Sequence, residues 1–91
     1  MRAFHRTIRV QGRVQGVGFR AAAMAEAKRL GLSGTAMNLA SGGVEIHVEG
    51  GLGPIEEFTR WAGIGPTLAQ VVELVIADGP LEGLTDIRVI R

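Results

Sequence analysis

The chain has 91 residues, 46% of them hydrophobic, and ten Lys plus Arg against nine Asp plus Glu leave a formal net charge of +1. It contains no cysteine, which excludes a thiol nucleophile, a disulfide framework and any Cys-based metal site. The balanced charge lacks the basic stripe that a nucleic-acid binder needs, and no apolar run approaches the roughly 20 residues of a membrane span.

Residues 4–14 alternate, with Ile8, Val10, Gly12 and Val14 on one side and Thr7, Arg9, Gln11 and Arg13 on the other, the period of a half-buried strand. From Phe19 the period lengthens. Phe19, Ala23, Ala27 and Leu30 form one helical stripe, with Glu26, Lys28 and Arg29 facing water and Gly31 placed to end the helix. A strand over Gly34–Leu39 leads into the turn Ala40-Ser41-Gly42-Gly43. Val44, Ile46 and Val48 then alternate with Glu45, His47 and Glu49 as the clearest strand pattern in the chain.

Gly50-Gly51-Leu52-Gly53 breaks that strand, and Pro54 suits the first turn of a helix. Ile55, Phe58, Thr59 and Ala62 space as its buried stripe, and Gly63-Ile64-Gly65-Pro66 ends it. Val71, Val72, Leu74, Val75 and Ile76 predict an apolar strand, Asp78-Gly79-Pro80 a turn, and Ile87–Ile90 a short last strand. The order is β-α-β-β-α-β with one extra C-terminal strand. It predicts one α+β domain over 1–91: a ferredoxin-like sandwich of an antiparallel sheet with two helices on one face.

The loop before the first helix carries the densest chemistry. Gly12, Gly16 and Gly18 fall within seven residues, and Arg20 follows. Such glycines let successive amides converge on an anion at a helix N-terminus, and an arginine fork can close the concavity on a phosphate. Purely conformational glycines are equally common in such loops. Gly16-Val17-Gly18-Phe19-Arg20-Ala21 also fits a dinucleotide pattern, but no acidic residue ends the next strand and the chain is too short for that fold. Asn38, at a strand end before a Gly-rich turn, is by itself unremarkable, since asparagine there usually serves turn chemistry rather than a functional role.

Two longer stretches give these residues a context. Val10-Gln11-Gly12-Arg13-Val14-Gln15-Gly16-Val17-Gly18-Phe19-Arg20 resembles the first signature of the acylphosphatase family. Gly34-Thr35-Ala36-Met37-Asn38-Leu39-Ala40-Ser41-Gly42-Gly43-Val44, ending at Gly50, resembles the second, and Gly65-Pro66 with Ala69 and Val71 is similar to a later stretch. Thr35 and Ile87 stand where the family usually has aromatics, and both are expected at packing positions. The resemblance implies hydrolysis of a small acyl phosphate to a carboxylate and inorganic phosphate. Arg20 and the amides of Gln15, Gly16, Val17, Gly18, Phe19 and Arg20 would bind the phosphoryl group, and Asn38 would hold the attacking water. It implies no cofactor and no metal at the site, no nucleic-acid or membrane partner, and a cytoplasmic monomer; no signal peptide is visible at the first residues.

Other polar residues receive plainer readings. His5 and His47, the only histidines, lie on polar strand faces outside the catalytic set. Arg9/Arg13 and Glu45/Glu49 read as solvated faces open to cross-strand pairing. Glu56 and Glu57 complement a helix start, and Trp61 reads as a core-edge aromatic. Two rival functions share the fold: an anion-binding module like the N-terminal domain of the hydrogenase-maturation carbamoyltransferase, and RNA recognition. The latter needs exposed aromatics on central strands, where this chain offers Val44, Ile46 and Val48 among acids and histidine.

Overall fold

Alternating side chains produce β1 (Phe4–Arg13) in a computed structural model that describes residues 2–91. The helical stripe then gives α1 (Phe19–Arg29), which buries Phe19, Ala23 and Ala27 as predicted, and Met24 beside them. β2 (Ser33–Asn38) and β3 (Val44–Gly50) flank the glycine turn, α2 (Leu52–Ala62) follows, and β4 (Gln70–Gly79) and β5 (Ile87–Ile90) complete the chain. β2 lies one residue earlier than the expected 34–39, and two later boundaries move as well. Helix α2 starts before Pro54, and β4 runs through the predicted turn residues Asp78 and Gly79, because they pair with Arg6 and His5 of β1.

The strands order as β4-β1-β3-β2-β5. β1 pairs antiparallel with both β3 and β4, and β2 pairs antiparallel with β3, as the ferredoxin-like reading requires. The last strand adds to β2 in parallel, so the five-stranded sheet is mixed. Both helices cover one face. There Ile8, Val10, Ala36, Val44, Ile46 and Val48 meet Phe19, Ala23 and Ala27 of α1 and Ile55, Phe58 and Ala62 of α2 in one core. Each large side chain in it is worth about 1.5–3 kcal/mol of burial. Trp61 packs at the core edge, its ring 5.5 Å from Phe19 and 5.7 Å from Phe58. Ile87 packs against the core as expected, whereas Thr35 sits on the opposite face, level with His47.

Polar side chains fasten the edges. Arg6, buried on the helix side of β1, grips Asp78 of β4 with Nε–Oδ1 at 2.6 Å and Nη2–Oδ2 at 3.0 Å. Its Nη1 reaches Glu56 at 3.1 Å and donates to Thr59 Oγ1 of α2. One guanidinium thus joins two strands and a helix. On the outer face Arg9 pairs with Glu45 at 2.8 Å, the cross-strand pair the alternation anticipated.

Glu49 departs from that reading, because it is buried rather than solvated. The connection from β4 to β5 must pass three strands to reach the other sheet edge. Glu49 accepts hydrogen bonds from the amides of Glu82 and Leu84 in that connection and from the ring of His5, which is also buried. Burial opposes its charge, yet the two amides and the imidazole outweigh that, so its carboxyl lies below the usual value of 4.5. The His47 ring, aided by Arg9, likewise lowers Glu45, and the Arg6 fork lowers Asp78 below 3.8.

A depressed folded pKa adds stability that is complete above the unfolded value and lost as pH falls through the folded one. The thermal unfolding midpoint should therefore fall steeply as the pH drops below about 4.5. Glu49→Ala leaves the amides of Glu82 and Leu84 and the buried imidazole N–H of His5 without their acceptor, so it should cost about 2 kcal/mol at pH 7 and flatten the acid decline. An unchanged acid slope in that variant would show that Glu49 does not hold the connection.

Candidate active site

The chain has five residues, 14–18, in which to turn from β1 into α1. Gly16 and Gly18 make the turn with φ of 75° and 76°. A side chain in that left-handed region costs roughly 1–2 kcal/mol per residue. A Cβ at either position would meet no atom within 4 Å, so the backbone conformation rather than crowding calls for glycine. Gly18 caps α1 without a side-chain hydrogen bond, and no acidic residue occupies the first helical turn. The leading amides of α1 and its positive end therefore meet no acidic side chain from the helix's own first turn.

Phe19 is buried in the core. Successive helical residues are turned by about 100°, so anchoring Phe19 directs Arg20 away from the core. The Arg20 Nη1 donates to the Ile90 carbonyl of β5 at 2.8 Å. Among the described residues this is its one side-chain hydrogen bond, and no carboxylate pairs with it. The remaining donors of the fork stay available for an oxyanion.

Asn38 is the last residue of β2. The turn beyond it closes through Leu39 N to Gly43 O at 2.8 Å and Gly42 N to Leu39 O at 3.0 Å. Gln15 reaches across from the first loop, its Nε2 donating to Leu39 O at 2.8 Å and Gly43 O at 2.9 Å. One amide side chain thereby locks the glycine loop to the turn that carries Asn38.

Together these pieces enclose an open cavity of about 200 Å³ lined by Gly16, Gly18, Phe19, Arg20 and Asn38, with Val14, Ala21, Val89 and Arg91 completing the wall. Arg20 and Asn38, picked from distant sequence positions, share one cavity. Four of the six expected phosphate-loop residues line it; Gln15 acts as a tether, and Val17 packs against the core. Sequence reasoning missed Val89 and Arg91. Only the parallel docking of β5 beside β2, with Ala36 level with Val89, brings them here, and no local pattern announces that pairing. The lining contains no histidine, carboxylate, hydroxyl or thiol side chain. Such a cavity can hold an anion and orient a neutral molecule, but the nucleophile must come from solvent or substrate.

Comparison with known proteins bears directly on this geometry. The sequence profile of the acylphosphatase family matches residues 6–86. An acylphosphatase of Anaeromyxobacter sp. is 46% identical over 76 residues, covering 84% of this chain and 82% of that protein. A solved acylphosphatase from Coxiella burnetii superposes with a TM-score of 0.93 at 33% identity, over 97% of this chain and 93% of that one. Full-length HypF, solved in a phosphate- and nucleotide-bound form, matches with a TM-score of 0.92 and 30% identity over 99% of this chain but only 12% of its own. Family, fold and coverage agree, and the chain belongs to the acylphosphatases, hydrolases of acyl phosphates.

Proposed function

We propose that the chain hydrolyses small acyl phosphates with a toolkit of one arginine, one asparagine and a glycine loop, working as a single domain over residues 1–91. The Arg20 guanidinium and the amides of the 15–20 loop hold the phosphoryl oxygens, and the carboxamide of Asn38 orients the water that attacks phosphorus. The observation that carries this reading is the meeting of Arg20 and Asn38 in one cavity whose wall offers anion donors and no side-chain base.

Elementary chemistry makes so spare a site sufficient. The leaving group is a carboxylate whose conjugate acid has a pKa of about 4, so it departs at neutral pH without a general acid. Phosphoryl transfer runs through a loose transition state, in which positioning and charge stabilisation matter most. Asparagine is neutral and cannot take a proton from water, so a phosphoryl oxygen of the substrate accepts it. No step calls for a metal. The Ile90 carbonyl orients Arg20, and Gln15 fixes the distance between the phosphate loop and Asn38. A cytoplasmic monomer is part of the same reading.

Hydrolysis of acetyl phosphate or benzoyl phosphate tests the reading, and a domain that only binds the anion would release phosphate at the background rate. Arg20→Ala should abolish turnover and weaken inhibition by inorganic phosphate, since it removes the principal anion ligand. Asn38→Ala should lower kcat by about a hundredfold or more with phosphate affinity nearly unchanged, because water is positioned only for the reaction. Turnover like that of the unaltered protein in either variant would refute the corresponding role. Hydrolysis rates before and after dialysis against a chelator should agree within error; a loss restored by a divalent cation would contradict the metal-free mechanism.

A further inference from the structure

The face of the sheet away from the helices carries a second cluster, unrelated to the phosphate cavity. The β1–β3 register sets His5 opposite Glu49 and Thr7 opposite His47. His5 Nδ1 lies 2.7 Å from Glu49 Oε2, and His47 Nε2 lies 3.0 Å from Glu45 Oε2. Ionised carboxylates only accept hydrogen bonds, so both of these ring nitrogens carry the hydrogen. The other nitrogen of each ring, His5 Nε2 and His47 Nδ1, is then a bare lone pair when the rings are neutral, and these two atoms stand 3.1 Å apart. Thr7 Oγ1 lies 3.4 Å from the first and 3.2 Å from the second, but its single hydrogen can satisfy only one. Two facing lone pairs at that distance repel, and either a proton on one ring or a metal ion held by both relieves them.

A third donor stands ready. Glu82 places Oε2 3.7 Å from His5 Nε2, and one ligand atom from each of His5, His47 and Glu82 falls within 4.8 Å of the others. Two imidazole nitrogens on a tetrahedral Zn²⁺, each at about 2.0–2.1 Å, stand roughly 3.3 Å apart, close to the spacing already present. A metal-bound histidine characteristically donates its other N–H to a carboxylate, which Glu49 and Glu45 provide for the two rings. The Glu82 amide also donates to Glu49, so one carboxylate orients His5 and holds the segment bearing the third ligand. His5 is 3% exposed and Glu82 is 56% exposed, so the site has a rigid inner side and an open entrance.

We propose that His5 Nε2, His47 Nδ1 and the Glu82 carboxylate bind one zinc-like divalent cation, with water completing the shell. Two imidazoles with one carboxylate favour Zn²⁺, Ni²⁺ or Cu²⁺ over Mg²⁺ or Ca²⁺. The cation ties the β4–β5 connection to the two central strands, so its role is structural. None of its ligands lines the phosphate cavity.

The experiment uses untagged full-length protein and Zn²⁺ alone, followed by titration calorimetry, with Co²⁺ as a spectroscopic probe of the coordination geometry. Because His5 and His47 are the only histidines and cysteine is absent, tight binding has no alternative imidazole or thiolate ligand. The expected result is one Zn²⁺ per chain and a raised thermal midpoint. His47→Gln should weaken binding by at least about a hundredfold and Glu82→Gln by about tenfold, the latter comparable to loss of a metal-orienting group. Acyl phosphate hydrolysis at the rate of the unaltered protein in both variants confirms that they fold. Failure of the unaltered protein to bind Zn²⁺, or weakening of less than about tenfold in His47→Gln, overturns the proposal.

Discussion

The backbone of Gly16 and Gly18 is the constraint on which the site depends. Their left-handed conformations complete the passage from strand to helix quickly enough that Phe19 drops into the core. Arg20 then has one direction left to it. A loop that made the same passage more gradually would present the guanidinium elsewhere, and misplacement by about 1 Å can cost a hundredfold in rate. The aromatic contact of Phe19 with Trp61 makes the second helix part of the same support. Core packing and the placement of Arg20 in the cavity are therefore adjacent consequences of one turn.

Three segments distant in sequence are held together around the cavity, each by a different kind of contact. Covalent continuity places the glycine loop before α1. The Gln15 carboxamide binds it to the β2–β3 turn, and the Ile90 carbonyl binds Arg20 to the final strand. Each hydrogen bond among them ends on a neutral backbone carbonyl. None of these contacts brings a negative charge to the cavity, where it would repel an anion. This arrangement suits a reaction whose substrate already contains a good leaving group, where holding charge steady matters more than moving protons.

Much of this was legible beforehand. Period-two alternation located β1 and β3, and Phe19, Ala23 and Ala27 defined the buried face of α1. Arg20 stood out because the glycines before it exceeded what a turn requires, whereas Asn38 drew notice only through the family resemblance, which gave both residues their roles. What escaped was everything decided by strand pairing. Residues 89–91 carry no mark of docking beside β2, and the expectation of a wholly antiparallel sheet passed over that parallel edge. Glu49 and His5 looked solvated because alternation identifies a face without saying that a later connection will cover it. Counting opposite partners from Val10 and Val44 back along the strands would have set His5 against Glu49, the one signal that was available.

The position of β1 at the heart of the sheet has a consequence for how the molecule is made. The strand is synthesised before its partners, which lie far downstream, at residues 44–50 and 70–79. One edge stays bare until β3 emerges and the other until β4 is complete. Bare strand edges recruit other chains, and pairings this remote in sequence form slowly. Arg6, Arg9 and Arg13, spread along those ten residues, give the waiting strand a positive charge that repels its own copies. Two of them later find acidic partners in the finished sheet, so the charge that guards the nascent chain becomes part of what fastens the folded one.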